Sequence, residues 1–395
     1  VAALWIAWRL MADTLHAEKR VAGLALLTLI PFFNFHALKY NVNTVLMPLW
    51  AATALWFLRS YRTRAPGAAA LAGLAAALSM YGKYWSVFLI AGLVVAALVD
   101  RRRAAYFRSP APWITVAVGL LVMAPHLSWL IDSHFAPFTY AMTVHGEKSF
   151  AVAARSTLGY LGGSLGYVAL PLVIVLAMVR RPRLLAEAAW PHDDDRRLVA
   201  AAFWAPLLLP VVAAIAGRTE ITSLWSMSAW TLLPVLLLSP PTITLRPIDT
   251  DRLLGLAVAV PLVMLLASPA IAWLTRDKAR PAEAQARLLA AEVDRDWRLT
   301  TPQPLRYVGG EAELAFGVVT WSADRPLALT EMPAPPADEL RHAGMAIVCF
   351  AEDAGCKQSA ARLAGGAPNR VVESTIVRGF WGKLGAPQGY TIVLV

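Results

Sequence analysis

Long apolar runs separated by short polar segments occupy the first two thirds of the chain. Leu, Ala, Val and Trp fill these runs, and each run approaches the length of a membrane-spanning helix. We place the candidate spans at 1–12, 20–35, 43–59, 67–81, 84–99, 112–131, 156–179, 198–216, 222–240 and 252–274. The pattern predicts an all-α polytopic membrane region of about ten spans within residues 1–275.

The pattern changes abruptly after residue 275. Charged residues become frequent, and short segments of alternating apolar and polar residues replace the long runs. We predict helices at 281–297 and 311–321. Strands are predicted near "PLRYV", "PLALT", "MAIVCF", "RVVESTIV" and "YTIVLV". Residues 276–395 are therefore expected to form a soluble α/β domain.

The loops between the spans indicate their orientation. "RSYRTR" and "DRRR" flank the apolar stretch 67–99 on both sides. Equal basic flanks require an even number of crossings, so we expect a hairpin whose turn is "MYGKYW". Since Lys and Arg concentrate in cytoplasmic loops, the turn and its lysine, Lys83, are predicted to lie at the outer face. The same alternation places the C-terminal domain outside.

The composition agrees with a membrane protein. The chain is 58% hydrophobic and only 16% charged, whereas soluble proteins carry about 25% charged residues. A net charge of +10 could indicate a nucleic-acid partner, but most of the arginines lie in loops between spans, so we expect no nucleic acid. The chain starts with Val inside an apolar segment, which leads us to expect that upstream sequence is missing.

Four polar segments fall on the predicted outer face. They are the loop "NFHALKYNVN", the hairpin turn, the loop "DSHFAPFTYAMTVHGEKSF" and the segment "GRTEITSLW". Their candidate site residues are Lys39, Tyr40, Asn41, Asn43, Tyr81, Lys83, His145, Glu147, Lys148, Arg218 and Glu220. Cationic side chains at this depth suit a lipid-linked phosphate, and they would also stabilise that phosphate as it leaves during sugar transfer.

Simpler explanations exist for several of these residues. Asn43 could cap a helix, and Lys83 could extend its ammonium to the interface. His145 and Glu147 could act on an acceptor proton, hold a divalent metal ion, or be ordinary surface residues. Cys349 and Cys356, the only cysteines, could form a disulfide outside the cytoplasm or remain two buried thiols.

Three passages resemble glycosyltransferase family 39, the family of the aminoarabinose transferase and the protein O-mannosyltransferases. They are "LKYNVNTVLMPLWAATALWFLRS", "LAGLAAALSMYGKYWSVFLIAGLVV" and "APFTYAMTVHGEKSF". The resemblance implies a GT-C fold and a polyprenyl-phosphate sugar donor in the bacterial inner membrane, with the C-terminal domain periplasmic. It also implies that Lys83 contacts the donor phosphate, and it aligns His145 and Lys148 with the histidine and the basic residue of the family's loop.

The chain departs from the family's pattern at two points. The family usually has Asp where this chain has Asn43, and an amide cannot accept a proton. The family's main catalytic acid follows the first span, in sequence that we expect to be missing. This fragment alone is therefore expected to be inactive.

The sequence thus favours a membrane glycosyltransferase that moves a sugar from a polyprenyl-phosphate donor to a lipid or protein acceptor on the periplasmic face. Lys83, Arg218 and Lys39 would bind the donor phosphate. Tyr40, Asn41, Asn43 and Tyr81 would line the sugar or acceptor pocket, and His145 and Glu147 would be catalytic. The alternatives are a lipid-linked precursor flippase and a non-catalytic membrane assembly subunit.

Overall fold

The structure is a computed structural model that describes residues 1–146, 148–179, 183–276, 280–329, 337–364 and 370–395. The chain divides into two compact units, Val1–Met264 and Leu265–Val395. The division falls within a long helix, whereas the composition change predicts a boundary at residue 275, where that helix ends.

Helices form the described part of the first unit. The α-helices are α1 (Ala2–Met11), α2 (Ala17–Thr28), α3 (Val42–Thr63), α4 (Pro66–Gly82), α5 (Val87–Val99), α6 (Arg103–Phe107), α7 (Ala111–Asp132), α8 (Ala136–His145), α9 (Phe150–Val179), α10 (Arg183–Ala189), α11 (Asp194–Gly217), α12 (Leu233–Leu238) and α13 (Pro247–Leu274). Short 3₁₀ helices lie at Pro31–Phe33, His36–Leu38, Tyr84–Ser86 and Ser223–Leu232.

Four of the described helices, α7, α9, α11 and α13, are long and apolar enough to cross a membrane. The other predicted spans coincide with helical segments that are shorter or, in α3, less apolar. The predicted span 222–240 is a 3₁₀ helix followed by the short α12. Pro234 occupies the first turn of α12, a position that proline favours because its missing N–H is not needed there.

The chain reverses between α4 and α5, as the basic flanks predict. The Thr53 hydroxyl of α3 lies 3.2 Å from Ser79 near the end of α4. The Tyr61 hydroxyl, further along α3, donates to the Ala97 carbonyl near the end of α5. Helix α5 therefore runs in the same direction as α3, and α4 runs in the opposite direction. Lys83 lies at the turn, beside the start of α3.

Small residues allow the helices beside this turn to pack closely. Helix α4 packs on α3 and α7, and α5 packs on α11. A Cβ atom on Gly73 of α4 would lie 2.3 Å from the Thr115 carbonyl oxygen of α7. A Cβ atom on Gly92 of α5 would lie 2.5 Å from the Pro206 ring of α11. A larger side chain at either glycine would separate these helices.

The second unit contains an α/β domain, as the alternating pattern predicts. A five-stranded sheet has the order β2-β1-β3-β7-β4. Its strands are β1 (Tyr307–Gly310), β2 (Leu327–Ala328), β3 (Met345–Phe350), β4 (Arg370–Ile376) and β7 (Gln388–Leu394). The first three are mutually parallel, while β7 runs antiparallel to both β3 and β4. A separate hairpin consists of β5 (Gly379–Phe380) and β6 (Lys383–Leu384).

Helices cover both faces of the five-stranded sheet. They are α14 (Pro281–Ala284), α15 (Ala286–Thr300), α16 (Ala312–Trp321), α17 (Ala337–Ala343) and α18 (Ala354–Ala364). Side chains of α15 and α16 form one core with alternate residues of the strands, and those of α17 and α18 form a second core with the others. The predicted helix 281–297 is interrupted at the buried Gln285, which accepts a hydrogen bond from the Tyr390 hydroxyl.

A disulfide joins Cys349 at the end of β3 to Cys356 in α18. Of the two alternatives that the sequence leaves open, the structure contains the bonded pair. It fastens α18 to the sheet.

Candidate functional site

Lys83 lies directly after the last residue of α4, where its cationic side chain complements the negative end of the helix dipole. It is half-buried. Its ammonium donates a hydrogen bond to Asn43 Oδ1 at 3.4 Å and lies 4.6 Å from the centre of the Trp225 ring. The reversal between α4 and α5 therefore brings Lys83 to the start of α3 and to the 3₁₀ helix Ser223–Leu232.

Trp225 links three parts of this site. Besides Lys83, its ring contacts Trp85 at 4.7 Å between centroids and His145 at 5.2 Å, the latter nearly perpendicular. Lys83 and Trp85 belong to the hairpin turn, and His145 is the last residue of α8. The His145 imidazole and the Lys83 ammonium therefore both contact the Trp225 ring.

The two asparagines at the start of α3 have different contacts. Asn41 is the N-cap: its side chain accepts from the backbone N–H groups of Asn43 and Thr44, and Thr44 completes a capping box. Asn43 lies inside the first turn, and its side-chain oxygen accepts the hydrogen bond from Lys83. Capping, which the sequence suggests for Asn43, is therefore performed by Asn41.

Two loop segments pair beside Trp225. The Glu220 N–H donates to the His145 carbonyl, and the Lys148 N–H donates to the Arg218 carbonyl. The Lys148 ammonium lies 3.9 Å from the Glu220 carboxylate. This pairing brings together the loop "DSHFAPFTYAMTVHGEKSF" and the segment "GRTEITSLW", which the sequence predicts to lie on the same face. Lys148 is thereby partly neutralised, while the exposed Arg218 side chain lies at the same loop.

The charge of Lys83 is not balanced by a carboxylate in the same way. Within the part of the chain that the structure describes, no Asp or Glu lies within ion-pair distance of its ammonium. Its neighbours are the neutral Asn43 and Trp225. A half-buried cation whose described partners are neutral is costly, so this arrangement suits an anionic ligand.

Three predicted site residues lie apart from the group formed by Lys83, Asn43, Trp225 and His145. Tyr40 is 90% exposed. Lys39 is also exposed, and its charge acts on His36, whose pKa is lowered by partial burial and, to a smaller extent, by Lys39. The Tyr81 hydroxyl donates to the Val122 carbonyl of α7, so this side chain points towards α7.

The predicted metal pair is not described completely. Glu147 lies outside the described residues, so its role with His145 stays a prediction. In the ranges that the structure covers, no group of three or more His, Cys, Asp and Glu side chains is arranged to hold a metal ion.

Sequence reasoning missed the two aromatic contacts that organise this region. Trp225 ends the quoted segment "GRTEITSLW", but its chain spacing alone does not distinguish it from the other tryptophans. The Tyr84 hydroxyl lies 2.7 Å from His126 Nε2. Tyr84 lies in the hairpin turn next to Lys83, and this position is a signal that could have identified it; no signal in the sequence marks Trp225.

Known proteins resemble this chain in both sequence and fold. Residues 1–129 match the family model described as dolichyl-phosphate-mannose-protein mannosyltransferase.

Among individual proteins, the chain is 27% identical over 262 residues to the lipopolysaccharide core galacturonosyltransferase RgtB of Rhizobium johnstonii. That alignment covers 63% of this chain and 51% of the relative, so the chain spans about half the length of the curated relative that it matches. Its fold matches the crystal structure of ArnT from Cupriavidus metallidurans bound to undecaprenyl phosphate, with a TM-score of 0.56 and 15% identity. The structural match covers 99% of this chain and 82% of ArnT.

Proposed function

We propose that this chain forms part of a membrane glycosyltransferase that takes its sugar from a polyprenyl-phosphate donor and transfers it to a lipid or protein acceptor on the periplasmic face. The observation that carries the proposal is the half-buried Lys83 ammonium, which has neutral partners in Asn43 and Trp225. The crystal structure of ArnT with undecaprenyl phosphate supports the same class of donor.

In such a transfer the acceptor oxygen or nitrogen attacks C1 of the sugar, and the bond from C1 to the phosphate oxygen breaks. The leaving lipid phosphate gains negative charge. Lys83 would stabilise that charge from a fixed position, which lowers the barrier more than it strengthens ground-state binding. Arg218 would be a second phosphate contact. His145, together with Glu147, would take the proton that the acceptor loses and would orient the acceptor; a divalent ion held by both residues would orient the acceptor in the same way.

The disulfide supports an oxidising compartment for the C-terminal domain. Disulfides persist in the periplasm and are rare in the cytosol, and Cys349 and Cys356 are bonded here. This agrees with the outward placement that the basic loops predict.

Binding of undecaprenyl phosphate tests the proposal without requiring turnover. The purified chain in detergent is titrated with undecaprenyl phosphate and with the uncharged undecaprenol. We expect preference for the phosphate, and we expect Lys83→Met to weaken phosphate binding by about 10- to 100-fold, since a hydrogen bond to a charged group contributes about 1.5–3 kcal/mol. Binding of undecaprenol should be unchanged.

Arg101→Met is the matched control. The Arg101 side chain is 74% exposed, and its guanidinium lies 3.8 Å from Asp194, in a loop predicted to be cytoplasmic. This variant removes one positive charge away from the site and should keep normal affinity. The proposal fails if Lys83→Met retains the wild-type preference for the phosphate, or if both variants lose it equally.

Transfer itself is assayed in membranes that contain the full-length protein, with labelled polyprenyl-phosphate sugars. The name of RgtB makes a galacturonic acid donor and a lipopolysaccharide core acceptor the first pair to try. Incorporation of label that requires Lys83 would support the transferase over a flippase or an assembly subunit.

A further inference from the structure

The hairpin β5–β6 presents an unusual set of side chains to its surroundings. Trp381 is 70% exposed and Leu384 is 75% exposed. Phe380 stacks almost parallel to Trp381, with 5.9 Å between ring centroids and 6° between planes. The Arg378 guanidinium lies 5.1 Å from the Phe380 ring centre. Large apolar groups and cations therefore occupy one small hairpin.

Its turn explains how Trp381 comes to be exposed. Trp381 and Gly382 both have positive φ, at 46° and 73°, as the tight primed turns of two-residue hairpins require. Tryptophan is seldom found in this conformation, because a Cβ atom strains it. The backbone thus holds a large indole at the tip, where it makes little contact with its own domain.

A contact within the same unit indicates the depth at which this hairpin lies. The Lys383 ammonium lies 4.6 Å from the centre of the Trp273 ring, in the last turn of α13. Residues 253–275 contain no charged residue, whereas charged residues occur at 249, 251, 252 and 276. This uncharged run is long enough to cross the hydrocarbon core.

Trp273 and Arg276 therefore lie where the run meets the membrane surface. The Arg276 guanidinium lies 5.0 Å from the Trp273 ring centre and donates to the Trp273 carbonyl at 2.8 Å. Tryptophan is enriched at this depth, and arginine there extends its charge towards the headgroups. Because Lys383 contacts Trp273, the hairpin lies at the same level.

The geometry points to a membrane-interface anchor: Trp381 and Leu384 enter the outer edge of the bilayer, while Arg378 and Lys383 contact anionic lipid headgroups. The occupant is thus a lipid surface. The contact with Trp273 makes the apolar tip continuous with the lipid-exposed end of α13, where Ile271 and Leu274 are 51% and 68% exposed. This inference does not depend on transferase activity.

Spin-label accessibility measures the depth directly. The full chain carrying Leu384→Cys is labelled with a nitroxide and placed in nanodiscs containing anionic phosphatidylglycerol. Collisions with oxygen, which concentrates in lipid, are compared with collisions with a water-soluble nickel complex. The native cysteines are joined in a disulfide and do not take the label.

Leu363→Cys provides the matched control. Leu363 is 45% exposed on α18, a helix that packs on β1 and β3, and its label should behave as in water. We expect the oxygen-to-nickel collision ratio at position 384 to exceed that at 363 by at least about threefold, since the two reagents partition oppositely between lipid and water.

Two results would overturn the anchor. One is a label at 384 that is as accessible to nickel as the label at 363. The other is a label shielded from both reagents, which would mean that a protein surface or a second copy covers the hairpin. The proposed contact of Arg378 and Lys383 with anionic headgroups has its own test: the depth of the label at position 384 should increase with the anionic lipid fraction. Equal depth in purely zwitterionic nanodiscs would contradict it.

Discussion

Trp225 determines how the single lysine of the hairpin is presented. Its ring contacts Lys83 and Trp85 of the hairpin turn and His145 at the end of α8. An ammonium on a flexible four-carbon side chain loses entropy when it is held for a ligand. A preformed contact with an aromatic face reduces that loss at the moment of binding.

Replacement of this ring should therefore weaken donor binding without removing any charge. A cation–π contact contributes about 0.5–2 kcal/mol, so we expect Trp225→Ala to reduce affinity for undecaprenyl phosphate by about 3- to 30-fold, and Trp225→Phe to reduce it less. Trp113→Ala, at a ring that is 64% exposed on α7, is the matched control. Unchanged affinity in Trp225→Ala, beside a large loss in Lys83→Met, would show that the ring does not position the ammonium.

The residue scale also shows which site members a sequence can reveal. Lys83 can be identified from the sequence because a lysine inside an otherwise apolar hairpin is energetically costly, which indicates a functional role. Trp225 is not, because the chain has 15 tryptophans and most of their positions in a membrane protein serve packing or the interface. Which tryptophan faces the lysine depends on how distant helices pack, and the spacing along the chain does not contain that information.

Among the elements, α3 has two asparagines at its start that make different contacts. Asn41 satisfies N–H groups at the first turn, and Asn43 accepts from Lys83. Neighbouring residues of the same type therefore act on different properties of the protein.

Alanine at Asn41 should change mainly the stability of the protein, and alanine at Asn43 mainly its affinity for the phosphate. Asn41→Ala removes the cap and should cost about 1 kcal/mol of stability, lowering the unfolding temperature in detergent while leaving the preference for the phosphate intact. Asn43→Ala should leave that temperature almost unchanged and alter the affinity for undecaprenyl phosphate. Thermal unfolding and titration of both variants measure these effects. An equal fall in unfolding temperature would contradict the assigned roles.

Element types follow from the sequence wherever a pattern is long. The reversal at Lys83 and the five strands of the main sheet correspond to their apolar and basic patterns. The hairpin β5–β6 was missed because its segment "RGFWGKLG" has no alternation of apolar and polar residues. The break at Gln285 was missed because it depends on a hydrogen bond from Tyr390, more than a hundred positions away.

For the whole molecule, the proposal requires that the start of α3 and the hairpin turn face the periplasm. The placement rests on the basic loops, and one pair of surface positions tests it. Tyr40 lies one residue before the cap of α3 and is 90% exposed, and the Arg101 side chain, in the "DRRR" segment, is 74% exposed. Neither residue packs in a core, so a cysteine at either position should not disturb folding.

In spheroplasts, a membrane-impermeant maleimide should label Tyr40→Cys at once and Arg101→Cys only after permeabilisation, because the helices between these positions carry the chain across the bilayer. The parent protein, whose two cysteines are bonded to each other, should remain unlabelled and so provides the background. The reverse pattern would place Lys83 on the cytosolic side. A lipid-linked sugar presented in the periplasm could not then reach Lys83. The arginine-rich loops would also lie on the periplasmic side, in conflict with the general preference of such loops for the cytoplasm.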